Sequence, residues 1–590
     1  TKFVIADALR FGGGVGVSGQ ARYREGAKDF LAHKGFTSGY GEVSIRPVYA
    51  TWLAGGDVTR WRSDFAYVAL HTNAGGGTGT SSFSFGNGRN GVGPAGYHTS
   101  NPSPLTSASD RLRDLVNAEI VRTVRGKFDP AWVNRRTNIA NFGELRECRN
   151  MPSTLTELAF HDSAADSVRL RDGAFRYATG RAIYKAILRS FDANATVSPL
   201  PPSALRIENA GLGELRVSWE AVLDSLEPGA APTGYRVYTS PNGFAFDDGV
   251  AVSGTQHVLT GLTPGQRLFV KVSGTNAGGE GLATHVGGAI LGQEKGSRAL
   301  LVDGFTRSYR FTSTNWGKRY TYDYAREHVS ALGSALPSHV GLDYAQNSGV
   351  GGSGVDLSGY GFVDWLLGRE GSLDTTIDSN EQQLLSAYLV GGGRLLVSGT
   401  ELGYDLGGQG GGALFLEAQL GAQFVRDDAG VTLARPAPGG PFAGLGNLDF
   451  SQGRYVVSSA DVLSPSVGAE ALLSYEAAGA PGAATGIRNR VVTLGFPIES
   501  LPLAQRTQLV QSTLGYLDPD LPAPQPVAAP ISSAPVSSTT APGSTASGGG
   551  GSRGGGGGGG CSVATSESSQ APWLALLLVG GLLLVYRRVA

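Results

Sequence analysis

Short apolar blocks alternate with helix-spaced segments along residues 1–195, which predicts an α/β domain of alternating strands and helices. The clearest strand lies within residues 63–81, where the run FAYVAL leads to His71, Asn73 and a glycine-rich turn. Parallel α/β folds place their chemistry where strands end in loops, so His71 is a candidate metal ligand. The alternative for a lone histidine at a strand end is a structural hydrogen bond.

A second predicted strand, Thr154 to Phe160, carries Glu157 within an apolar run and leads into His161 and Asp162. A carboxylate in a buried strand is costly unless it is paired, bound to a metal or used as an acid or base. Glu157 is therefore a candidate catalytic residue. Helical spacing predicts a helix over residues 107–123 and another over Asp172 to Asp192.

The pattern changes twice after this domain. Residues 198–292 read as short alternating strands of an all-β domain, and residues 297–517 return to α/β. In that last domain, unbroken Leu and Val runs predict a first strand at 298–305, a second at 360–368 and another at 394–403, with a helix over 379–393. Such runs suit a parallel sheet covered on both faces. The chain is thus expected to be multidomain, α/β then all-β then α/β.

Two segments after residue 517 cannot belong to a packed core. Residues 518–560 form a Pro, Ser, Thr and Gly linker, which predicts an extended, disordered tether. The run Ala571 to Tyr586 is apolar and predicts a helix of about 24 Å, slightly shorter than a hydrocarbon core. Arg587 and Arg588 would hold its end on the cytoplasmic side of a membrane.

Composition excludes some classes of partner and of stabilising bond. With 590 residues and a formal net charge of −1, the chain lacks the positive field that a nucleic-acid partner requires. Its two cysteines, Cys148 and Cys561, lie in unrelated contexts, so no structural disulfide is expected. The chain starts at Thr1 without an initiator Met or a signal peptide, and we expect that upstream residues were removed.

The motifs LHTNA around His71 and MPSTLTELAF around Glu157 resemble those of zinc-dependent N-acetylmuramoyl-L-alanine amidases. That family cuts the amide bond between glycan and peptide in bacterial cell walls. The resemblance covers about the first 195 residues. It implies an amidase-like fold, peptidoglycan as the polymer bound, His71 as a zinc ligand and Glu157 as the catalytic glutamate.

The family's other zinc ligands belong near the N-terminus, in an Asp-x-Gly-His-Gly-Gly motif and at the start of the next helix. Here Asp7 and Glu25 fit that pattern, but Arg10 stands about where the histidine belongs. Catalytic zinc usually takes three protein ligands, and an arginine stays protonated. Either a further residue completes the site or no hydrolytic zinc is held, and Arg10 then pairs with a glutamate or binds an anion. The candidates for the further ligand are Glu144, His161 and Asp162.

The two later domains carry resemblances of their own. Residues 198–292, with Trp219 in LRVSWEA as a core residue, resemble a fibronectin type III sandwich. Residues 297–517 resemble the flavodoxin-like class I glutamine amidotransferase fold. At the family's Gly-x-Cys-x-Gly elbow this chain has Gly399 to Gly403 with Glu401 in place of the cysteine, which excludes thioester chemistry. The elbow either binds a ligand or only preserves the turn.

Residues 561–590 resemble the MYXO-CTERM sorting signal of myxobacterial surface proteins: a glycine tract, Cys561, an apolar helix and a terminal arginine pair. The resemblance implies membrane insertion through the helix, cleavage by a sorting protease near Cys561, and export to the cell surface. The alternative is an ordinary single-span membrane anchor, which also places the folded domains outside the cytoplasm.

These features together predict an exported, surface-anchored cell-wall hydrolase of the amidase type, with zinc as the expected cofactor. One alternative is a noncatalytic surface protein that binds glycan or peptide in the same cleft. Another is hydrolysis of a different extracellular polymer. Metal content and the products of wall digestion separate these hypotheses.

Overall fold

The computed structural model describes residues 41–57, 60–85, 102–148, 150–293, 299–305, 324–337, 339–371, 375–455 and 459–519, together with residues 32, 35 and 457. Arg10, Glu25 and the whole tail after residue 519 lie outside the described residues. Across the described ranges no helix is long and apolar enough to cross a bilayer. The predicted apolar helix at 571–586 lies beyond those ranges.

The described part of the N-terminal domain is a sheet covered by helices on both faces. Its strand order is β1-β4-β2-β3, with β1 parallel to β4, β2 antiparallel to β4, and β3 parallel to β2. Its elements are α1 (Glu42–Leu53), β1 (Tyr67–Asn73), β2 (Thr80–Phe85), α2 (Pro102–Lys127), β3 (Asn134–Ala140), α3 (Gly143–Arg146), β4 (Ser153–Phe160), α4 (Ala164–Arg171) and α5 (Gly173–Phe191).

Strand alternation decides which face each side chain of β1 joins. Val68 packs under α2 and α5, whereas Tyr67 and Ala69 pack on the other face with residues of α1 and α3. Successive side chains of a strand point to opposite faces, so His71 continues the alternation of Tyr67 and Ala69. The sequence pattern therefore sends His71 to the face that carries the short helix α3.

The two long helices follow their predicted spans closely. The predicted segment 107–123 forms the middle of α2, and α5 occupies nearly all of the segment 172–192. Asp172 is the N-cap of α5, because its Oδ1 accepts a hydrogen bond of 2.8 Å from the backbone N–H of Ala174.

Residues 203–290 form a β-sandwich, which agrees with the predicted fibronectin type III region. Trp219 is buried and meets the ring of Tyr235 edge-on, with ring centroids 5.3 Å apart. This confirms Trp219 as a core residue. The strands are β5 (Ser203–Gly211), β6 (Glu214–Glu220), β7 (Gly234–Ser240), β8 (Val250–Val252), β9 (Gln256–Leu259), β10 (Arg267–Asn276), β11 (Gly279–Ala283) and β12 (Gly287–Ile290).

The last domain contains five parallel strands in the order β14-β13-β15-β16-β23, the doubly wound order found in flavodoxin-like folds. Strands β22, β21, β18 and β19 extend it antiparallel. Its elements are β13 (Ala299–Asp303), α6 (Ala325–Ala335), β14 (Leu342–Gln346), β15 (Phe362–Gly368), α7 (Ser379–Val390), β16 (Arg394–Gly399), α8 (Ala413–Ala418), β17 (Ala422–Arg426), β18 (Leu433–Pro436), β19 (Leu448–Asp449), β20 (Val462–Pro465), β21 (Glu470–Tyr475), β22 (Gly482–Ile487), β23 (Val491–Leu494) and α9 (Leu503–Leu517).

The prediction for this sheet missed two of its five parallel strands, β14 and β23. It took residues 360–368 as the second strand, but β14 lies between β13 and β15 in the chain. The run Leu342–Gln346 is short and interrupted by Asp343, so it lacks an apolar block. Asp343 is nevertheless buried, because hydrogen bonds satisfy its carboxylate.

The predicted elbow after β16 is a tight turn. Glu401 has a left-handed backbone, with φ 66°, and its side chain is buried. The turn is held by Asp461, whose carboxylate accepts hydrogen bonds from the backbone N–H groups of Gly403 and Tyr404. At this position the chain thus presents a buried carboxylate.

The sandwich and the last domain share one hydrogen-bonded sheet. Strand β5 pairs antiparallel with β14, where Ile207 lies opposite Tyr344, and β12 meets β14 at Ile290 and Leu342. Asn209 adds two buried hydrogen bonds to Asp343. Its backbone N–H donates to Oδ1 of Asp343 over 2.8 Å, and its side-chain Nδ2 donates to the same oxygen over 2.7 Å. The joint between these domains is therefore built from main-chain and buried polar bonds.

A buried charge network joins the N-terminal domain to the sandwich. Asp224 of the sandwich accepts from Arg181 Nε over 3.0 Å and lies 3.2 Å from Lys127 Nζ. Next to this pair, Lys185 Nζ lies 3.3 Å from Glu119 and 3.7 Å from Glu227. Asp224 and Lys185 are almost wholly buried, so the two domains meet over a charge-paired surface with a buried centre.

Candidate functional site

His71 and Glu157 meet at the carboxyl ends of the two parallel strands β1 and β4. They are direct partners in the strand register, so the two predicted site residues converge. His71 is partly exposed and Glu157 is mostly buried. An imidazole and a carboxylate side by side at the end of two parallel strands form the centre of the candidate site.

Glu144 completes this group from the short helix α3. Its Oε1 lies 3.2 Å from Nε2 of His71, and the glutamate itself is buried. Burial is the largest single influence and opposes ionisation, but the hydrogen bond with His71, a backbone hydrogen bond and the charges of His71 and Arg46 together outweigh it and lower the pKa of Glu144. Of the three predicted candidates for a further ligand, Glu144 is the one whose carboxylate lies against the nitrogen of His71.

The carboxyl group of Glu157 has a different environment. Burial raises its pKa, and the nearby charge of Glu144 adds to this, while His71 and His161 oppose the shift. Its Oε2 is buried and makes no hydrogen bond to the residues that the structure describes. A buried carboxylate oxygen without a partner, at a strand end, is suited to accept a proton from a group that enters the cleft.

His161 lies at the end of β4 and is anchored to β1. Its Nδ1 is 3.1 Å from Oγ1 of Thr72, and its backbone N–H donates to the carbonyl of Asn73 over 3.0 Å. The histidine is close enough to affect the pKa of Glu157. Thus His161 flanks the site.

Asp162 has another role in this structure. Its Oδ2 accepts hydrogen bonds from the backbone N–H groups of Gly75, over 2.7 Å, and Gly76, over 3.0 Å. These bonds lower the pKa of Asp162. The carboxylate therefore closes the glycine-rich turn beside the site, and its lone pairs are used there.

Cys148 contributes no ligand to the site. Its side chain is buried within the core on the α1 and α3 face. Burial raises the pKa of this thiol to about 12, so it stays protonated and does not provide the thiolate that metals bind.

The zinc hypothesis depends on residues inside and outside the described ranges. Among the residues with described positions, no three His, Cys, Asp or Glu side chains form a group that could hold a metal alone. His71 and Glu144 supply two donors of the types that zinc prefers. The predicted ligand Glu25, and Arg10 with it, lie outside the described residues.

Three nearby residues were not predicted from the sequence. Asp166 is buried and its Oδ2 accepts from the backbone N–H groups of Gly79 and Phe160, which fixes the loop after β1 against the end of β4. Thr72 positions His161. Arg135 lies over the ring of Phe160. Of the three, Thr72 had a sequence signal, because it lies inside the motif LHTNA between His71 and Asn73.

Comparisons with known proteins agree with the first two domains. A sequence model of the N-acetylmuramoyl-L-alanine amidase family matches residues 58–189, and one of the fibronectin type III domain matches residues 200–286. The first match includes His71, Glu144, Glu157 and His161, whereas Arg10 and Glu25 precede it.

Two curated relatives come from bacilli. The chain is 30% identical over 140 residues to N-acetylmuramoyl-L-alanine amidase CwlM of Bacillus licheniformis, covering 24% of this chain and 46% of that protein. It is 26% identical over 175 residues to a sporulation-specific N-acetylmuramoyl-L-alanine amidase of Bacillus subtilis (strain 168), covering 30% of this chain and 56% of that protein. The chain thus spans about half the length of these relatives.

A solved structure of N-acetylmuramoyl-L-alanine amidase from Clostridium difficile 630 aligns with 22% sequence identity. The alignment covers 22% of this chain and 59% of that one, with a TM-score of 0.17.

Proposed function

We propose that the N-terminal domain is an N-acetylmuramoyl-L-alanine amidase that hydrolyses the amide bond between glycan and peptide in peptidoglycan. The observation that carries the proposal is the pairing of His71 with Glu157 across β1 and β4, with Glu144 3.2 Å from His71. The matched family and the two curated amidases support the choice of bond and polymer.

Zinc is the cofactor that this donor set fits. His71 and Glu144 are the described residues that would hold it, and Glu25 is the predicted additional ligand. When bound, zinc supplies a water of lowered pKa and polarises a carbonyl oxygen. The buried Oε2 of Glu157 has no hydrogen-bond partner among the described residues, so it can accept a hydrogen bond from a bound water or substrate.

Glu157 is the residue that moves protons. In its ionised form, the carboxylate takes a proton from the attacking water and then returns it to the amide nitrogen as the bond breaks. Its burial restricts access by bulk water, so the proton stays at the carboxyl group between these two steps. His161 lies beside it as a further positive group when protonated.

A test measures metal and products together in the full chain. The wild-type protein is expected to contain about one zinc per chain and to release peptide stems with a free amino terminus from wall fragments, detected by mass spectrometry. Glu157→Gln should keep the zinc and lose the release of peptides, whereas His71→Ala should lose both. Asp114→Asn, on the exposed face of α2, is a matched control that should change neither.

Two results would contradict the proposal. Release of sugar fragments without free peptide stems would identify a different bond as the target. Absence of zinc, with full retention of wall binding in Glu157→Gln, would favour a noncatalytic receptor for glycan or peptide.

We also propose that the protein is exported and tethered to the cell surface through residues 518–590. The glycine tract, Cys561 and the apolar run at 571–586 support this, and all of them lie outside the described residues. Mature protein should end near Cys561 after cleavage by a sorting protease. An intact C-terminal peptide in mass spectra of surface protein would contradict this processing.

A further inference from the structure

An exposed arginine lies at the same end of the sheet as the candidate catalytic residue. Thr80 of β2 is the partner of Asn134, and the next residue, Ser81, is the partner of Glu157 on β4. Arg135, which follows Asn134, is therefore level with Glu157, two strands away. At the usual spacing of neighbouring strands, the backbones of Arg135 and Glu157 are roughly 10 Å apart across the sheet.

A bulge in β3 sets the direction of Arg135. Between Thr80 and Ser82 the register advances from Asn134 to Thr137, so β3 carries one extra residue there. Arg136 takes up the change with a left-handed backbone, at φ 71°. The Oδ1 of Asn134 accepts the backbone N–H of Arg136 over 2.9 Å, and thereby holds the bulge in place.

A second bulge brings Phe160 to the face of Glu157. The register of β4 against β1 shifts after His71, and both Leu158 and Ala159 pack into the core under α2 and α5. Since two successive residues use the same face, Glu157 and Phe160 both emerge on the opposite one. Phe160 therefore lies along the rim of the candidate site.

The guanidinium of Arg135 stacks on this ring, with its carbon 4.8 Å from the ring centroid. Gly77 leaves room for the stack, because a Cβ there would lie 2.5 Å from Phe160 and 3.0 Å from Nη1 of Arg135. Arg135 is exposed, and no carboxylate within the described ranges pairs with it. An arginine whose guanidinium carbon lies over a ring keeps N–H groups at its outer edge, and these can bind a carboxylate through two hydrogen bonds.

We propose that Arg135 binds a free carboxylate of the peptide stem and so determines specificity for the substrate of the site at Glu157. The inference rests on the proposed function and extends it to a subsite. Two residues of extended peptide reach about 7 Å, and a long arginine side chain covers the remaining distance to β3. The subsite therefore selects muramoyl peptides whose second residue keeps its carboxylates over those in which they are amides.

The experiment compares a muramoyl dipeptide that has free carboxylates with the same compound converted to amides. In the full chain, the free acid should have the lower KM, and Arg135→Ala should raise its KM roughly 10- to 100-fold, as expected for loss of charge-assisted bonds. The value of kcat and the KM for the amide should change little. Arg135→Lys should restore part of the preference, and Arg216→Ala, an exposed arginine on β6, should leave it unchanged.

If Arg135→Ala raises the KM of both compounds equally, or does not raise the KM of the free acid, the proposal is overturned. A binding measurement keeps it separate from the proposed function: the Kd values of the same two compounds are measured by calorimetry with Glu157→Gln alone and with Glu157→Gln plus Arg135→Ala. A carboxylate preference that disappears with Arg135 supports the subsite even if the wild-type protein hydrolyses neither compound. A preference that persists in the double variant overturns it.

Discussion

His71 of β1 and Glu157 of β4 are direct partners across a parallel pair of strands, which places an imidazole beside a carboxyl group whose pKa burial has raised. Neither group alone would distinguish this site from a structural contact. Together with Glu144 they give the cleft a donor pair for a metal and a separate proton acceptor. Four predictions follow from this geometry and from the domain joints.

Replacement of Glu157 should abolish turnover without unfolding the protein. Glu157→Gln keeps the size of the side chain but cannot accept a proton, so kcat for release of peptide stems should fall roughly 10²- to 10⁴-fold. Mass spectrometry of digested wall fragments measures the rate. Circular dichroism should show an unchanged fold, and a variant that keeps more than a tenth of the wild-type rate would exclude Glu157 as the proton acceptor.

The pH dependence of hydrolysis should show the raised pKa of Glu157. The residue accepts a proton only when it is ionised, and its raised pKa means that ionisation is lost at higher pH than for an ordinary glutamate, whose value is 4.5. The acid limb of kcat/KM should therefore lie above that value. A pH profile of kcat/KM checks this, and full activity maintained down to the ordinary value would contradict it.

Stability at the joint between the sandwich and the last domain should decrease as the solution becomes less acidic. Burial raises the pKa of Asp343 from 3.8 to about 6, although bonds from Asn209 and Tyr360 oppose the shift. Between these two values the unfolded chain has released this proton while the folded chain keeps it. The free energy of unfolding should thus fall by roughly 3 kcal/mol as the pH rises through that window.

Urea unfolding at several pH values measures this slope for the domain that contains Asp343. Asp343→Asn should remove most of it, because the amide keeps an acceptor for Asn209 and cannot ionise. Glu476→Gln, an exposed position in the same domain, should leave the slope as it is. An unchanged slope in Asp343→Asn would show that other groups produce it.

The charge network between the first two domains should be sensitive to loss of one partner. Asp224→Ala leaves the buried guanidinium of Arg181 without its carboxylate and removes the partner of Lys127, which should cost about 3–5 kcal/mol of stability in the full chain. Thermal unfolding measures the effect. Asp248→Ala, at an exposed position of the sandwich, is the control, and equal effects of the two changes would mean that Asp224 adds nothing at the joint.

The sequence predicted those parts of the site that depend on local pattern. Apolar blocks gave the strands that carry His71 and Glu157, and the resemblance of their motifs to the amidase family gave the expectation that both belong to one site. The choice of Glu144 among three candidate ligands required the structure, because α3 is a single turn whose position is set by packing. A one-turn helix has no periodicity of its own to read.

Strands β2 and β3 and the domain joints were beyond sequence reasoning for a different reason. The segment Thr80–Phe85 is rich in serine, and Asn134–Ala140 carries two arginines, so neither shows an apolar run. Pairing of β5 with β14 joins residues more than a hundred positions apart and leaves no local signal. The bulge that aims Arg135 likewise exists only relative to its neighbouring strand.

The hydrogen-bonded pairing of β5 with β14 also affects how the domains move relative to one another under force. A fibronectin-type module on a flexible connector would let its neighbours rotate, but here the module shares backbone hydrogen bonds with one neighbour and partly buried ion pairs with the other. Tension applied along the chain would have to shear strands before it could turn one domain against the next. The strand ends that carry His71 and Glu157 are therefore held in a fixed orientation relative to the last domain, over its described residues up to 519.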